Sequence, residues 1–318
     1  MHTLETADKS IFRAYPSCLD ELSPDQAAYF VFLYIQYLQK ELYLDKFKEL
    51  LAIKLLEIKP TRRYFEKIRL KKPKEKDENW LENVHSNMLL ISDSLNSFFT
   101  YEEETDLDSE NTKQVTEKLN FDCIKNLIPE INGYYGPKDG LTDCTFWEYK
   151  EAHNAFVEFA NTMDENCLLR LAAILYRKKK SCLWLRKWLP GYDGNIRRRF
   201  VQKSNPLSLE SRMKRMRKAT YSQLYFIFLF FKSCEMYLRY GSPVVDGKEI
   251  NLSVLYEGSG SSSGEDIGLT GILFTMAETS VFGDIEKTSD AGLYDILVRL
   301  YQVTIQYKNL NTKDDTNS

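Results

Sequence analysis

The chain has 318 residues, 43% apolar, 28% charged and 13% aromatic, with a formal net charge of −3. That composition excludes a disordered chain, which would hold fewer aromatics and a larger net charge. Only 14 glycines and 9 prolines are present, which excludes collagen-like and linker-like chains and speaks against a turn-dense all-β fold. The length suffices for a sizeable core and two domains.

The start, MHTLETAD, has no basic region followed by an apolar one, so it does not read as a secretory signal. The most apolar run, Leu224 to Phe231 (LYFIFLFF), is far shorter than the roughly 20 residues a membrane helix needs. It reads as a buried helix turn or a core strand. The six cysteines form no C-x-x-C and the three histidines lie far apart, so neither a zinc site nor a disulfide framework is expected. A cytoplasmic protein with reduced, mostly buried thiols, no cofactor and no membrane partner is the expectation.

Ser23-Pro24-Asp25-Gln26 predicts a helix start, with Ser23 as N-cap, Pro24 in the first turn and Gln26 closing a capping box. Ala27, Phe30, Val31, Tyr34, Ile35 and Leu38 follow at helical spacing. A second pattern runs through Phe47, Leu50, Leu51, Leu55 and Ile58. Its part from Leu51 to Ile58 fits helix or strand, and Pro60 ends it. Lys71-Lys72-Pro73-Lys74 reads as an exposed connection. A further amphipathic helix is predicted from about Asn79 to Phe99, with Leu81, Val84, Met88 and Ile91 on one face. Residues 101–110 (YEEETDLDSE) hold six acidic and no basic groups and read as a solvated loop or insertion.

The turn-rich stretch from Pro129 to Gly140 suggests a domain boundary near residue 135. Thr142 or Asp143 is expected to cap a helix containing Trp147, Phe156 and Phe159, and Asp164 to cap the next, DENCLLRLAAILYR. Residues 258–264 (GSGSSSG) read as a flexible linker. Behind it, Ile267 to Val281 and Ala291 to Tyr307 predict two helices broken at Phe282-Gly283-Asp284. The expected organisation is an N-terminal helical region (1–135), a helical domain (136–257), the linker (258–264) and a C-terminal helical hairpin with a polar tail (265–318). The fold class is mainly α: a multi-helix, bundle-like globule with few or no strands and a helix-loop-helix appendage.

The small net charge conceals a partition. Arg170 to Tyr240 holds 18 basic and 3 acidic residues, a net of +15. Residues 241–318 hold 5 basic and 12 acidic, a net of −7, and residues 1–169 hold 20 and 31, a net of −11. The densest basic parts are Arg177-Lys178-Lys179-Lys180, Arg197-Arg198-Arg199 and the run from Arg212 to Lys218, which includes Arg215 and Arg217. Three readings of this segment compete. It binds phosphate backbones with help from Trp184, Trp188 and Tyr192. It docks an acidic protein. Or it pairs with the chain's own acidic groups and water.

Catalytic signals are weak. Glu82-x-x-His85 matches half of a di-iron bundle motif, but Glu151 is followed three residues later by Asn154, so the second half is missing. His153 lies near Glu148 and Glu151 on a predicted helix, where charged residues on a solvated face are the plain explanation. No Walker loop, G-x-G-x-x-G or H-E-x-x-H occurs. No catalytic, metal or cofactor residue is assigned, and an enzyme is not expected.

Two stretches resemble a known group. LLRLAAILYR (168–177), with Arg197-Arg198-Arg199-Phe200 and the Phe-rich helix at 221–238, is one; ILFTMAETSVFGDIEKTSDAGLYDILVRLYQ (272–302) is the other. They are similar to uncharacterised proteins encoded among tail genes of Bacteroidetes phages and prophages, and loosely to tail or baseplate assembly chaperones of long-tailed phages. The resemblance implies a non-enzymatic protein in the host cytoplasm that binds other phage proteins, including structural ones. The alternative is a nucleic-acid-associated protein acting through residues 177–218.

Overall fold

In a computed structural model the chain is mainly helical and divides into two compact units, Met1–Asp122 and Cys123–Ser318. The structure describes residues 2–5, 12–57, 95, 98–105, 113–119, 121–186, 188, 194–198, 206–245, 247–255, 272, 276 and 281–315. The division precedes the turn-rich 129–140 stretch, which is built into the second unit. Tyr135 and Arg177 exchange both backbone hydrogen bonds, at 2.8 and 3.0 Å.

The first unit opens with the hairpin β1 (His2–Glu5) and β2 (Phe12–Tyr15). Helix α1 (Pro24–Leu38) starts as expected: Ser23 accepts from the Gln26 N–H and Gln26 answers the Ser23 N–H, a complete capping box. Helix α2 (Leu44–Leu55) resolves the ambiguity at Leu51 in favour of helix. The two helices meet through Phe30 and Phe47, both fully buried, with rings edge-on at 5.5 Å. Each such burial stabilises by about 1.5–3 kcal/mol.

Strands β3 (Phe99–Thr105) and β4 (Lys113–Leu119) form an antiparallel ladder. Half of the expected acidic loop is therefore strand. The register explains why the acidic run is tolerated: Glu102, Glu103 and Glu104 lie opposite Thr116, Val115 and Gln114, so no like charges face each other. Phe99 begins a strand rather than ending a helix. Leu81, Val84, Met88, Ile91, Glu82 and His85 lie outside the described residues.

The second unit starts with the short hairpin β5 (Glu130–Ile131) and β6 (Tyr134–Tyr135). Helices α3 (Phe146–Thr162) and α4 (Glu165–Leu175) follow, joined at Met163 in the left-handed conformation, φ 55°. Asp164 caps α4 by accepting from the Asn166 N–H at 2.9 Å. A single turn, α5 (Leu183–Arg186), and α6 (Pro206–Met216) lead to α7 (Tyr221–Tyr240). The apolar run Leu224 to Phe231 is thus helix. Phe228 of α7 stacks on Phe156 of α3 at 5.0 Å and meets Phe159 edge-on at 4.9 Å. Among the described residues no helix is long and apolar enough to cross a membrane.

The hairpin β7 (Val244–Val245) and β8 (Lys248–Glu249) precedes the tail helices α8 (Ile285–Asp290) and α9 (Leu293–Asp315). The tail is part of the second unit. The Phe146 N–H donates to Ala291 O at 2.9 Å, the Leu293 N–H to Cys144 O at 3.0 Å, and the Tyr294 hydroxyl to Gly140 O at 2.8 Å. The Gly/Ser stretch 258–264 lies outside the described residues.

Candidate functional site

The first turn of α3 gathers three of the buried charges among the described residues, Glu148, Arg177 and Arg197. Thr145 is its N-cap and accepts from the Glu148 N–H at 3.2 Å. The cap is therefore neither Thr142 nor Asp143, and Asp143 is left available for other work. Thr145-x-x-Glu148 has the capping-box pattern, but the Glu148 side chain serves arginines instead. Its Oε2 accepts from Arg177 Nη2 at 2.6 Å and its Oε1 from Arg197 Nη1 at 2.8 Å.

Arg197 arrives from an extended segment. Backbone bonds from Lys180 N–H to Ile196 O and from Arg198 N–H to Lys178 O, both 2.8 Å, hold 196–198 against 178–180. All five guanidinium N–H groups of Arg197 then find acceptors. Nε donates to Asp143 Oδ2 at 3.0 Å, and Nη2 to Asp143 Oδ1 at 2.8 Å and to Asp143 O at 3.2 Å. Nη1 serves Glu148 and also Leu175 O at 2.7 Å. Complete satisfaction is what makes a fully buried guanidinium tolerable.

The two arginines are perturbed in opposite directions. Burial pulls the Arg177 guanidinium down; Glu148 counteracts this, and the Arg197 charge adds to the fall. Among the described residues Arg177 pairs with one carboxylate, and its buried Nε has no hydrogen-bond partner. Burial is also the largest single influence on Arg197, but Glu148 and Asp143, with Cys144, outweigh it, and the net shift is upward. Burial, with the Glu148 charge behind it, pushes the Cys144 thiol well above the ordinary thiol range.

The ten basic residues singled out in the sequence thus separate. Arg177 and Arg197 do not display their charge: both are buried in internal ion pairs. Arg212 is half-buried and donates to Ser208 O. Lys178, Lys179, Arg198, Arg215 and Arg217 are exposed, and Lys180 is half-buried. Arg199 lies outside the described residues. His153 does not meet Glu148; its Nδ1 lies 2.9 Å from Glu235 Oε1 on α7. None of the six cysteines is in a disulfide, and four of them (Cys123, Cys144, Cys167 and Cys234) are buried. Among the described residues no three His, Cys, Asp or Glu side chains are placed to hold a metal ion.

Concavities flank this centre. A cleft of about 930 Å³ opens beside the ion network, between the 138–145 segment, the 177–181 segment, residues 195–198 and the tail at Asp290 and Gly292. A recess of about 420 Å³ is lined by Lys179, Leu183, Trp184, Trp188 and Ile196. Its tryptophans are 73% and 86% exposed. Sequence reading named them only as neighbours of the lysines.

No protein-family model, no curated protein and no solved structure matches the chain.

Proposed function

We propose that the second unit is a non-enzymatic docking module that binds an acidic protein segment through the tryptophan recess and the lysines beside it. The observation that carries this reading is the exposure of Trp184 and Trp188, four residues apart around one recess. Tryptophan is seldom left so exposed, and desolvated tryptophans dominate the energetics of protein interfaces. Lys178 and Lys179 are exposed nearby, and Lys179 Nζ lies 5.7 Å from the Tyr135 ring centre. From Arg170 to Ile196, the stretch that includes the recess, the sequence holds seven basic residues and one acidic residue, Asp193, so the face favours acidic partners. The occupant that fits is a segment whose apolar side chain enters the recess while flanking carboxylates meet the lysines. The resemblance to phage tail-region proteins supplies the setting: a structural phage protein as partner, during tail or virion assembly in the host cytoplasm.

The nucleic-acid reading needs phosphate contacts along residues 177–218. Arg177 and Arg197 are occupied by carboxylates and cannot make them. Tryptophan fluorescence separates the readings. An acidic peptide with a central leucine is titrated into the intact chain, and a single-stranded oligonucleotide in parallel, each at two salt concentrations. The docking reading expects saturable peptide binding that W184A/W188A abolishes. Submicromolar oligonucleotide binding that weakens steeply with salt, or peptide binding untouched by the double substitution, overturns it.

A further inference from the structure

We infer that the larger cleft is a binding site for a small phosphorylated molecule, separate from the tryptophan recess. Its charge balance points to an anion. Of the cationic side chains that line it, Arg177 and Arg197 are neutralised by Glu148 and Asp143, which leaves the exposed Lys138 and Arg198 against the carboxylate of Asp290. The two paired arginines form the floor. Lys138 and Arg198 are exposed, and among the described residues neither makes an ion pair. Arg198 donates to the Ser181 hydroxyl at 3.3 Å, which steadies it at the rim. Lys138 is anchored through its backbone, whose N–H donates to Asp143 Oδ1 at 2.8 Å.

Two further features favour an oxyanion. Thr145 lines the cleft with a hydroxyl that accepts from the Glu148 N–H, which leaves its own proton for a ligand. That residue also caps the 17-residue helix α3, whose N-terminal end carries partial positive charge. Two cations at the rim, a hydroxyl and a helix start suit a dianion better than a monoanion. The volume, about 930 Å³, exceeds a lone phosphate and lies within the range of small-molecule sites. The phosphoryl group is assigned to Lys138 and Arg198, the exposed cations of the lining.

The test is calorimetric titration of the full chain with inorganic pyrophosphate at low ionic strength, with acetate as the monoanionic comparison. The inference expects saturable one-to-one binding of pyrophosphate and none of acetate. K138Q and R198Q should each weaken it by about tenfold or more, because each removes one charge-assisted contact. D290N should tighten it, and W184A/W188A should leave it unchanged. Absent binding at millimolar pyrophosphate, equal binding of acetate, or wild-type affinity in K138Q and R198Q each overturns the site. Weaker binding in D290N overturns its anionic character. Loss in W184A/W188A moves the anion to the lysine face and also overturns it. Failure of the cleft leaves the docking reading standing, since that reading is tested with peptide on different residues.

Discussion

Arg197 reaches Glu148 from 49 positions along the chain, with Nη1 2.8 Å from Oε1, and neither side chain exposes any surface. Glu148 holds Arg177 with its other oxygen, so one carboxylate joins the end of α4, the 196–198 segment and the start of α3. Breaking a buried pair is destabilising because it leaves an uncompensated charge, at about 3–5 kcal/mol. E148Q should lower the unfolding free energy by that amount in urea titration. R177Q/E148Q should lose less than the sum of the two single losses, by about 1 kcal/mol or more, since both remove the same contact. Additive losses would mean that the two residues do not interact.

Alkaline pH should unfold the second unit. Burial raises the Cys144, Cys234 and Tyr176 groups in the folded chain, with further upward pressure on Cys144 from Glu148 and on Cys234 from Cys144. For Tyr176 the hydrogen bond with Asn126 and the Arg197 charge oppose that rise. The ordinary values are 9.0 for the thiols and 10.0 for the phenol. Below them both states keep their protons and stability is full. Above them the unfolded chain releases protons that the folded chain retains, so stability falls by about 1.4 kcal/mol per pH unit for each group. Urea midpoints from about pH 8 to about pH 11 should decline with a slope that C234A makes shallower. A flat profile would contradict the burial of these groups.

The cap of α3 separates two neighbouring threonines. Thr145 accepts from the Glu148 N–H, whereas Thr142 is exposed and donates to Asp139 O. T145A should cost about 1 kcal/mol. T142A should stay within about 0.5 kcal/mol. Thermal unfolding of the two variants reads the difference directly.

Gly136 is required by space. A Cβ there would lie 2.5 Å from Asn126 Nδ2 and 2.7 Å from the Tyr176 ring. Neither neighbour can retreat easily. Asn126 Nδ2 donates to Pro137 O at 2.7 Å, and the buried Tyr176 hydroxyl donates to Ile128 O at 2.6 Å. G136A should therefore destabilise by about 1–3 kcal/mol through overpacking. Wild-type stability would show that the 126–137 loop yields freely.

Local signals were legible where neighbours in sequence make the structure. The Ser23 capping box, the Asp164 cap and the helical spacing from Leu293 onward depend on residues a few positions apart. The 99–119 ladder was not legible, because six acidic groups read as loop until the partner strand supplies neutral residues opposite Glu102–Glu104. The buried charges could not be told from the displayed ones for a similar reason. Arg177 and Arg197 are indistinguishable in sequence from Lys178 and Arg198; their carboxylates lie 29 and 49 positions away. The capping-box spacing of Thr145 and Glu148 was the one local hint, and it pointed to a backbone partner rather than to arginine. The net of +15 is thus partly cancelled inside the second unit and partly displayed by Lys178, Lys179 and Arg198.

That division is tested most directly by comparing two adjacent residues. Equilibrium unfolding in urea should show R197Q losing about 3–5 kcal/mol, as expected for one half of a buried ion network. R198Q should remain within about 0.5 kcal/mol of the wild type, as expected for an exposed side chain. Equal effects of the two substitutions would contradict the separation of the basic segment into an internal and a displayed set.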